Sequence, residues 1–371
     1  MICNHTELSK FFDKDYSTFL SFSLLHEIKD DAINIPFNIV SCNNCFTIQT
    51  LYIGDINIVY GDNHVDAYGN TKNDINVMFS KFIIQNKLLK NPIEIGACTN
   101  SLSKMIVENI DTKYTIIEPG YKGEYVNNLN IVSDYCENID FNLLEGNTVI
   151  MSAVFEHFYT PLLILDKLRK AKNIEYVYLC HPNFEYYCNN DIANILNFEH
   201  IYYIELDFLK KLFKMHGFDI EELYDYKNNY YFLKFVKVSD LLLLNDINFT
   251  NTHSVQDTTR YFDRMHRRIM KLNNILEDKS SKYYIWPASA HTVTLFMNGL
   301  NWQNLSGCLD NSPNKIGKYL YGYNLKCESM NDKLLDNTTE KITIILSGAG
   351  LYLDEIHISN SNLKIIHFNT L

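Results

Sequence analysis

The sequence predicts an α/β protein organised around a doubly wound, mostly parallel sheet. Two stretches and one pattern carry that reading. Asn91-Pro-Ile-Glu-Ile-Gly96 reads as a buried strand that turns sharply into a helix, and Tyr114-Thr-Ile-Ile-Glu118 as a second apolar strand with an acid at its carboxyl end. Around them, short apolar runs alternate with segments of helical period from residue 76 to residue 240, the pattern of parallel strands joined by helices. Ligands of such sheets sit outside the carboxyl ends of the strands, so Gly96 and Glu118 are expected to face one crevice.

The 371 residues exceed one average core and divide into an N-terminal part (1–75), the central sheet (76–240) and a C-terminal lobe (241–371). Hydrophobic residues make up 46% and charged residues 21%, with no long Gly, Ser or Pro tract, so the chain should fold throughout. A net charge of -11 argues against general binding to nucleic-acid backbones, which needs a density of Lys and Arg. It leaves a small-molecule substrate, an anionic one included where basic residues gather locally. No apolar run approaches the roughly 18 residues that span a bilayer, and Met1-Ile-Cys-Asn-His5 lacks the basic and apolar regions of a signal peptide. No membrane association is expected. Nine cysteines, an odd number at scattered spacing, fit a reducing, cytoplasmic setting better than a disulfide framework.

Residues 1–75 read as an irregular leader. Its clearest feature is Cys42-Asn-Asn-Cys45 ahead of the strand-like Phe46–Ile53. A C-x-x-C pair on a turn is half of a tetrahedral zinc site, which Cys3 and His5 would have to complete. Two buried thiols explain the pair equally simply.

In the central part, residues 76–84 carry helical spacing and lead into the strand before Gly96; 101–109 is the next helix. After the strand ending at Glu118 come a short strand from Asn130 with Asp134 behind it, a strand over 147–154, a helix opened by Pro161, and a fifth strand over 174–183. Glu156 and His157, between strand and helix, suit ordinary cap chemistry, with a contact to a bound ligand as the alternative. A helix over 207–216 ends at Gly217 as its C-cap, and strands 218–223 and 230–237 finish the unit. Residues 254–277 form a basic amphipathic helix with Tyr261, Met265, Ile269, Leu272 and Leu276 on one face. A solvated linker would show the same charged ends, but the strands that follow, 282–286, 305–310 and 341–347, favour a second α/β lobe of Rossmann-like type.

The crevice has a further property. A pyrophosphate needs close backbone approach, and the Gly96 turn carries one glycine where full phosphate-binding fingerprints carry three. A loop of Ala97, Cys98, Thr99 and Asn100 therefore suits a nucleoside without phosphates better than NAD. S-adenosylmethionine is such a nucleoside. The spacing resembles the glycine motif and ribose-binding acid of class I SAM-dependent methyltransferases, with Asn100 where that motif's last glycine stands. The resemblance implies that Gly96, Ala97 and Asn100 line the cofactor, that Glu118 takes the ribose diol, and that Asp134 or the neighbouring backbone at Tyr135 meets the adenine. For Asp134 alone, a helix N-cap is an equally good reading.

Three separated pieces together resemble one family: the C-x-x-C leader, the SAM core, and Asp310-Asn-Ser-Pro313-Asn-Lys315-Ile-Gly317 in the C-terminal lobe. They are similar to the sugar C-methyltransferases that act on nucleotide-linked 4-keto deoxysugars. The resemblance covers most of the chain. It implies a zinc-binding N-terminal domain, a sugar-nucleotide substrate helped into place by Lys315, and a histidine base within a Tyr-His-Glu-His sequence. Here that sequence is Asn197-Phe198-Glu199-His200, so Glu199 and His200 carry over while the tyrosine and first histidine do not. Removing a C–H beside a carbonyl suits an imidazole titrating near neutrality, with Glu199 orienting it. Two rivals stay open: an O- or N-methyltransferase of a small metabolite, for which the loss of tyrosine at 197 speaks, and a non-catalytic binding protein with a decayed SAM fold, for which Asn100 speaks.

Overall fold

The structure is a computed structural model that describes residues 5–18, 25–26, 34–60, 70–192, 196, 199–240, 242, 253–320, 322–330, 341–347 and 363–371. Strands β1 (Leu8–Thr18), β2 (Leu25–His26), β3 (Asn34–Cys42) and β4 (Ile48–Thr50) come first, then helices α1 (Ile56–Val59) and α2 (Asn70–Ile84). The central part runs β5 (Ile93–Ile95), α3 (Ser101–Val107), β6 (Tyr114–Ile117), β7 (Leu129–Val132), β8 (Thr148–Ser152), α4 (Pro161–Lys170), β9 (Tyr176–Pro182), α5 (Phe184–Asn189), β10 (Tyr202–Tyr203), α6 (Leu206–Met215), β11 (Phe218–Tyr226) and β12 (Tyr230–Lys237). The rest is α7 (His253–Leu276), β13 (Lys282–Trp286), α8 (Ala290–Met297), β14 (Gly307–Asp310), β15 (Tyr319–Leu320), β16 (Cys327–Ser329), β17 (Ile342–Leu346) and β18 (Lys364–His367).

The central sheet has the order β11-β12-β9-β8-β5-β6-β7. From β5 the chain winds outward through β6 and β7, then crosses to β8 and β9 on the other side, all in parallel. β12 alone runs against its two neighbours, β9 and β11. This is the doubly wound class I methyltransferase fold expected from the resemblance, with its switch point between β5 and β8. Residues of period two sort onto its faces. Ile93, Ile95, Val149, Met151, Val177 and Leu179 pack with α4 and α6, whereas Tyr114, Ile116, Ile150 and Tyr178 pack with α2 and α3. Burial on both faces is why these strands read as nearly continuous apolar runs.

The leader is not irregular. β1 and β3 form a long antiparallel pair, extended by β4 and then by β10 from the central part. The register of β1 on β3 slips twice, and one slip leaves Pro36 between the paired Ile35 and Phe37. A proline has no N–H for a ladder, and a bulge accommodates it. The slips also break the alternation by which a strand is recognised.

The C-terminal sheet is parallel throughout, in the order β16-β14-β13-β17-β18, again doubly wound, with its switch between β13 and β17. α7 is no solvated linker: Tyr261, Met265, Ile269, Leu272 and Leu276 are buried in a core that also takes Phe37 and Ile39 from β3, Phe184 from α5 and Cys308 and Ile345 from the C-terminal sheet. Each such burial stabilises by about 1.5–3 kcal/mol relative to exposure. Its basic side is clasped too. Arg264 Nε donates to Asp191 Oδ1 at 2.8 Å, Arg268 donates to Asp191 Oδ2, and Arg264 reaches the Cys188 carbonyl at 2.7 Å. β2 meanwhile pairs with β15, so leader and C-terminal lobe are joined directly. Among the described residues no helix is long and apolar enough to cross a membrane.

Candidate active site

The turn after β5 depends on Gly96. Its φ is +76°, its N–H donates to the Ile117 carbonyl at 3.0 Å, and a Cβ there would lie 2.3 Å from Val154 Cγ2. Glycine is needed for a left-handed turn and for the close approach of the loop after β8. Ala97 behind it is buried. Asn100, just before α3, donates from Nδ2 to the Glu124 carbonyl at 3.2 Å, and the Lys122 N–H donates to the Cys98 carbonyl at 2.8 Å. The loop after β6 thus folds back onto the turn after β5, forming one rim.

Glu118 stands one residue past β6, half-buried, where its Oε1 accepts the Gly120 N–H at 2.8 Å. Asp134 and Tyr135, both half-buried, follow β7. Asp134 Oδ1 accepts the Tyr135 N–H and the Asn138 amide, each at 2.7 Å; the cap position of the short 3-10 turn that follows is Tyr135, without a side-chain cap.

Beyond β8 lies a cluster of ionisable groups. Ala153 takes φ +52° and donates to the Cys180 carbonyl, and a 3-10 turn over Phe155–His157 follows. Glu156 and His157 lie within that turn, and the cap position of α4 is Thr160, so neither residue caps the helix. The Glu156 side chain is 2% exposed: Oε2 lies 3.5 Å from Nδ1 of His181, at the end of β9, and Oε1 lies 4.0 Å from His157 Nε2. Glu199 and His200, both buried, arrive from the segment ahead of β10. The Ile201 N–H donates to the Glu156 carbonyl at 2.9 Å, the Ile201 carbonyl accepts the Thr50 N–H, and β10 pairs with β4. The N-terminal sheet therefore fixes the position of His200. The rings of His157 and His200 meet edge to face at 4.8 Å. Tyr60, just past α1, places its Oη 2.9 Å from His157 Nδ1 and 3.5 Å from the Glu199 carbonyl.

Burial would raise the Glu156 pKa, but His181, His157 and His200 outweigh it and hold the carboxyl down at about 2. Burial, followed by the negative charges of Glu199, Tyr159, Glu156 and Glu118, pushes the Tyr60 phenol well above its usual range. Glu118 just past β6, Gly96 just past β5, and Glu156 and His181 at the ends of β8 and β9 all lie toward the carboxyl ends of neighbouring parallel strands.

Sequence reasoning brought Glu199 and His200 to this place but gave Glu156 and His157 to capping, and missed His181 and Tyr60. A histidine at a strand's carboxyl end is the signal His181 offered; Tyr60, far off in sequence, offered none. Asn197 and Phe198 lie outside the described residues. For the zinc set, Cys3 is also outside them, His5 lies 3.8 Å from Glu7, and Cys42 and Cys45 are buried at the turn between β3 and β4. Cys42 Sγ accepts the Asn44 N–H, and Cys45 Sγ lies 3.2 Å from Thr47 Oγ1. Among the described residues, the group of three side chains able to share a metal ion is Glu156, His157 and His200, with ligand atoms within 4.8 Å of one another. Lys315 is engaged internally, donating to Asp310 Oδ2 at 2.8 Å and to the Ala288 carbonyl at 2.9 Å.

No family model matches the chain, and no curated protein matches it. Several solved structures are similar to it. The N-methyltransferase NodS from Bradyrhizobium japonicum aligns at 8% identity over 45% of this chain and 97% of its own, with a TM-score of 0.34. A SAM-dependent methyltransferase from Aquifex aeolicus aligns at 12% identity over 46% and 100%, with a TM-score of 0.34. The N-terminal domain of EvdMO1 with SAH bound aligns at 10% identity over 44% and 80%, with a TM-score of 0.32.

Proposed function

We propose that the chain is a SAM-dependent methyltransferase that C-methylates a nucleotide-linked keto-deoxysugar. The observation that carries this reading is that Gly96, Glu118 and the Glu156–His157–His200 group stand past the carboxyl ends of neighbouring parallel strands or pack against them. It joins an acid suited to a ribose diol with a buried base in one crevice of a doubly wound sheet. The residues fit the cofactor: Gly96 makes a left-handed turn at the end of β5, the Glu118 carboxylate past β6 can accept from the hydroxyls of a ribose, and the adenine end would fall to Asp134 and Tyr135 past β7. When bound, S-adenosylmethionine supplies an electrophilic methyl, which the substrate carbanion takes as the sulfur–methyl bond breaks.

The protein's own part is proton transfer and positioning. His200 takes the proton from the carbon beside the carbonyl, leaving the electron pair on that carbon, and holds it as an imidazolium until it is released to solvent. Glu199, adjacent in the same buried segment, orients the ring. Tyr60 stays a phenol at neutral pH and donates to His157 Nδ1, which leaves that ring's proton on Nε2, facing Glu156. Burial excludes water from the carbanion and fixes approach, where much of the rate lies.

Calorimetric titration with S-adenosylmethionine tests the core of the proposal. Saturable binding is expected, weakened about 10- to 100-fold in Glu118→Ala by loss of a charge-assisted hydrogen bond to the diol. No binding at millimolar ligand overturns the reading. Keto-sugar nucleotides are then assayed with carbon-13 methyl donor. A new carbon–methyl resonance that His200→Ala abolishes is expected, and an oxygen- or nitrogen-methyl signal overturns C-methylation alone.

A further inference from the structure

We infer that Glu156 is the positioning residue of this site, a buried carboxylate that sets the orientation and proton content of three imidazoles, His157, His181 and His200. The inference rests on the reading above, in which His200 is the base, and explains how that base is held.

Its position is unusual for an acid. Glu156 is enclosed at the carboxyl ends of β8 and β9, and the ion partners found for it among the described residues are histidines. A carboxylate taken out of water must be compensated or neutralised. Its oxygens are turned to two different rings, Oε1 to His157 Nε2 and Oε2 to His181 Nδ1. His181 is as deeply buried as Glu156 itself, too deep to meet a substrate, which makes it the acid's inner neighbour. His157, at 14% the more exposed of the acid's two ring partners, and His200, on the segment that enters β10, remain for the substrate.

Glu156 fixes His200 a second time through its backbone, since its carbonyl holds the N–H of Ile201, the next residue. The side chain then supplies a counter-charge. When His200 accepts a proton, the new cation forms beside an anion whose reach, with His157, lies within 4.8 Å. Coulomb attraction at that range favours the protonated ring. Glu156 acts through the imidazoles and touches no substrate.

The groups facing this array come from every element around it: His157 and Glu156 after β8, Cys180 and His181 on β9, Glu199 and His200 ahead of β10, and Tyr60 after α1. Glu156 also adds to the rise of the Cys180 thiol behind burial, so the thiol stays neutral and leaves the balance to the histidines. Tyr60 stays a phenol for the reason given above.

The test is carbon-13 histidine NMR of the full chain, titrated from pH 5 to pH 9, with the three rings assigned by single substitutions. In Glu156→Gln, which keeps the shape and drops the charge, at least one of the three midpoints is expected to fall by a unit or more, in a chain that still unfolds cooperatively. Glu156→Asp should restore part of the shift. Unchanged midpoints overturn the inference. Should the Gln variant not fold, His181→Asn is read instead: removing the inner neighbour must raise the midpoints of His157 and His200, and no change again overturns it. The readout needs no cofactor. A protein that shows the shift yet fails to bind S-adenosylmethionine would sink the methyltransferase reading alone.

Discussion

The molecule contains two doubly wound sheets, one mostly and one wholly parallel, that treat their switch points differently. In the central sheet the turn after the first strand is opened by Gly96 at φ +76°, and beyond β8 and β9 Glu156 meets His157 and His181 with Glu199 and His200 on the adjoining segment. In the C-terminal sheet the corresponding turn is Pro287–Ser289, and Lys315 ties it shut by bonding both the Ala288 carbonyl and Asp310 at the end of β14. His291 is buried nearby, and its pKa falls to about 3 through burial and then the Lys315 charge. The same topology makes a crevice in both places. What differs is the balance of charge: an internal Lys–Asp pair is self-contained, whereas the buried Glu156 carboxylate is set among imidazoles, the side chains whose ordinary range spans neutrality.

Four substitutions would break or sharpen that contrast. Gly96→Ala has the largest expected effect, because its methyl overlaps Val154 as well as straining the backbone. A cost of about 4 kcal/mol follows from a left-handed penalty plus overpacking. Gly317→Ala in the C-terminal lobe, at φ +87° with nothing within 4 Å of the added carbon, should cost about 1 kcal/mol. Urea unfolding of both decides it: equal costs would mean that the close approach at the central crevice is not what requires glycine.

Asp191→Asn is next. The change keeps a side chain that tolerates the residue's φ of +55° but leaves Arg264 and Arg268 without their carboxylate. About 3 kcal/mol is expected, read as lower urea stability together with faster hydrogen exchange in α5 and α7. Exchange altered in the C-terminal sheet alone would show that the clasp does not join the two sheets.

His291→Leu comes last, because its effect on the charge balance is absent at neutral pH and shows only in acid. The folded-state pKa of His291, about 3, lies below its ordinary 6.5. Below pH 6.5 the unfolded chain binds a proton that the folded chain refuses, so its contribution to stability is full above pH 6.5 and is lost as pH falls toward 3. The leucine variant should lose stability more slowly over that window, by up to about 1.4 kcal/mol per pH unit. Glu156 behaves differently. With its folded pKa of about 2 below the ordinary 4.5, its contribution persists down to pH 4.5 and fades only below it. Identical pH slopes for parent and His291→Leu would refute the buried-histidine account of the C-terminal switch point.

Much of this was legible in the chain. Period-two apolar runs at β5, β6, β8 and β9, the Gly96 turn, Glu118 one residue past its strand and the buried stripe of α7 are local signals, set by a few neighbouring side chains. β1 and β3 were not legible, because two register slips and Pro36 erase their alternation. α5 is opened by Asn183, whose Oδ1 accepts the Tyr186 N–H at 3.0 Å, but its six residues are too few for a helical period to declare itself.

The site divides along the same line. Sequence by itself determined that strands alternate with helices, that a glycine turn and an acid stand at adjoining strand ends, and that Glu199-His200 precedes the last core helix. Each follows from residues within one element. Only the tertiary structure decided that Tyr60 would meet His157, that Glu156 would sit between His157 and His181 rather than cap a helix, and that β4 would hold the strand after His200. Those contacts join residues 97, 25 and about 150 positions apart, and nothing in a local pattern encodes which distant polar groups will share a buried space. Packing chooses them, because a charge shut away from water must find its partner wherever the fold brings one.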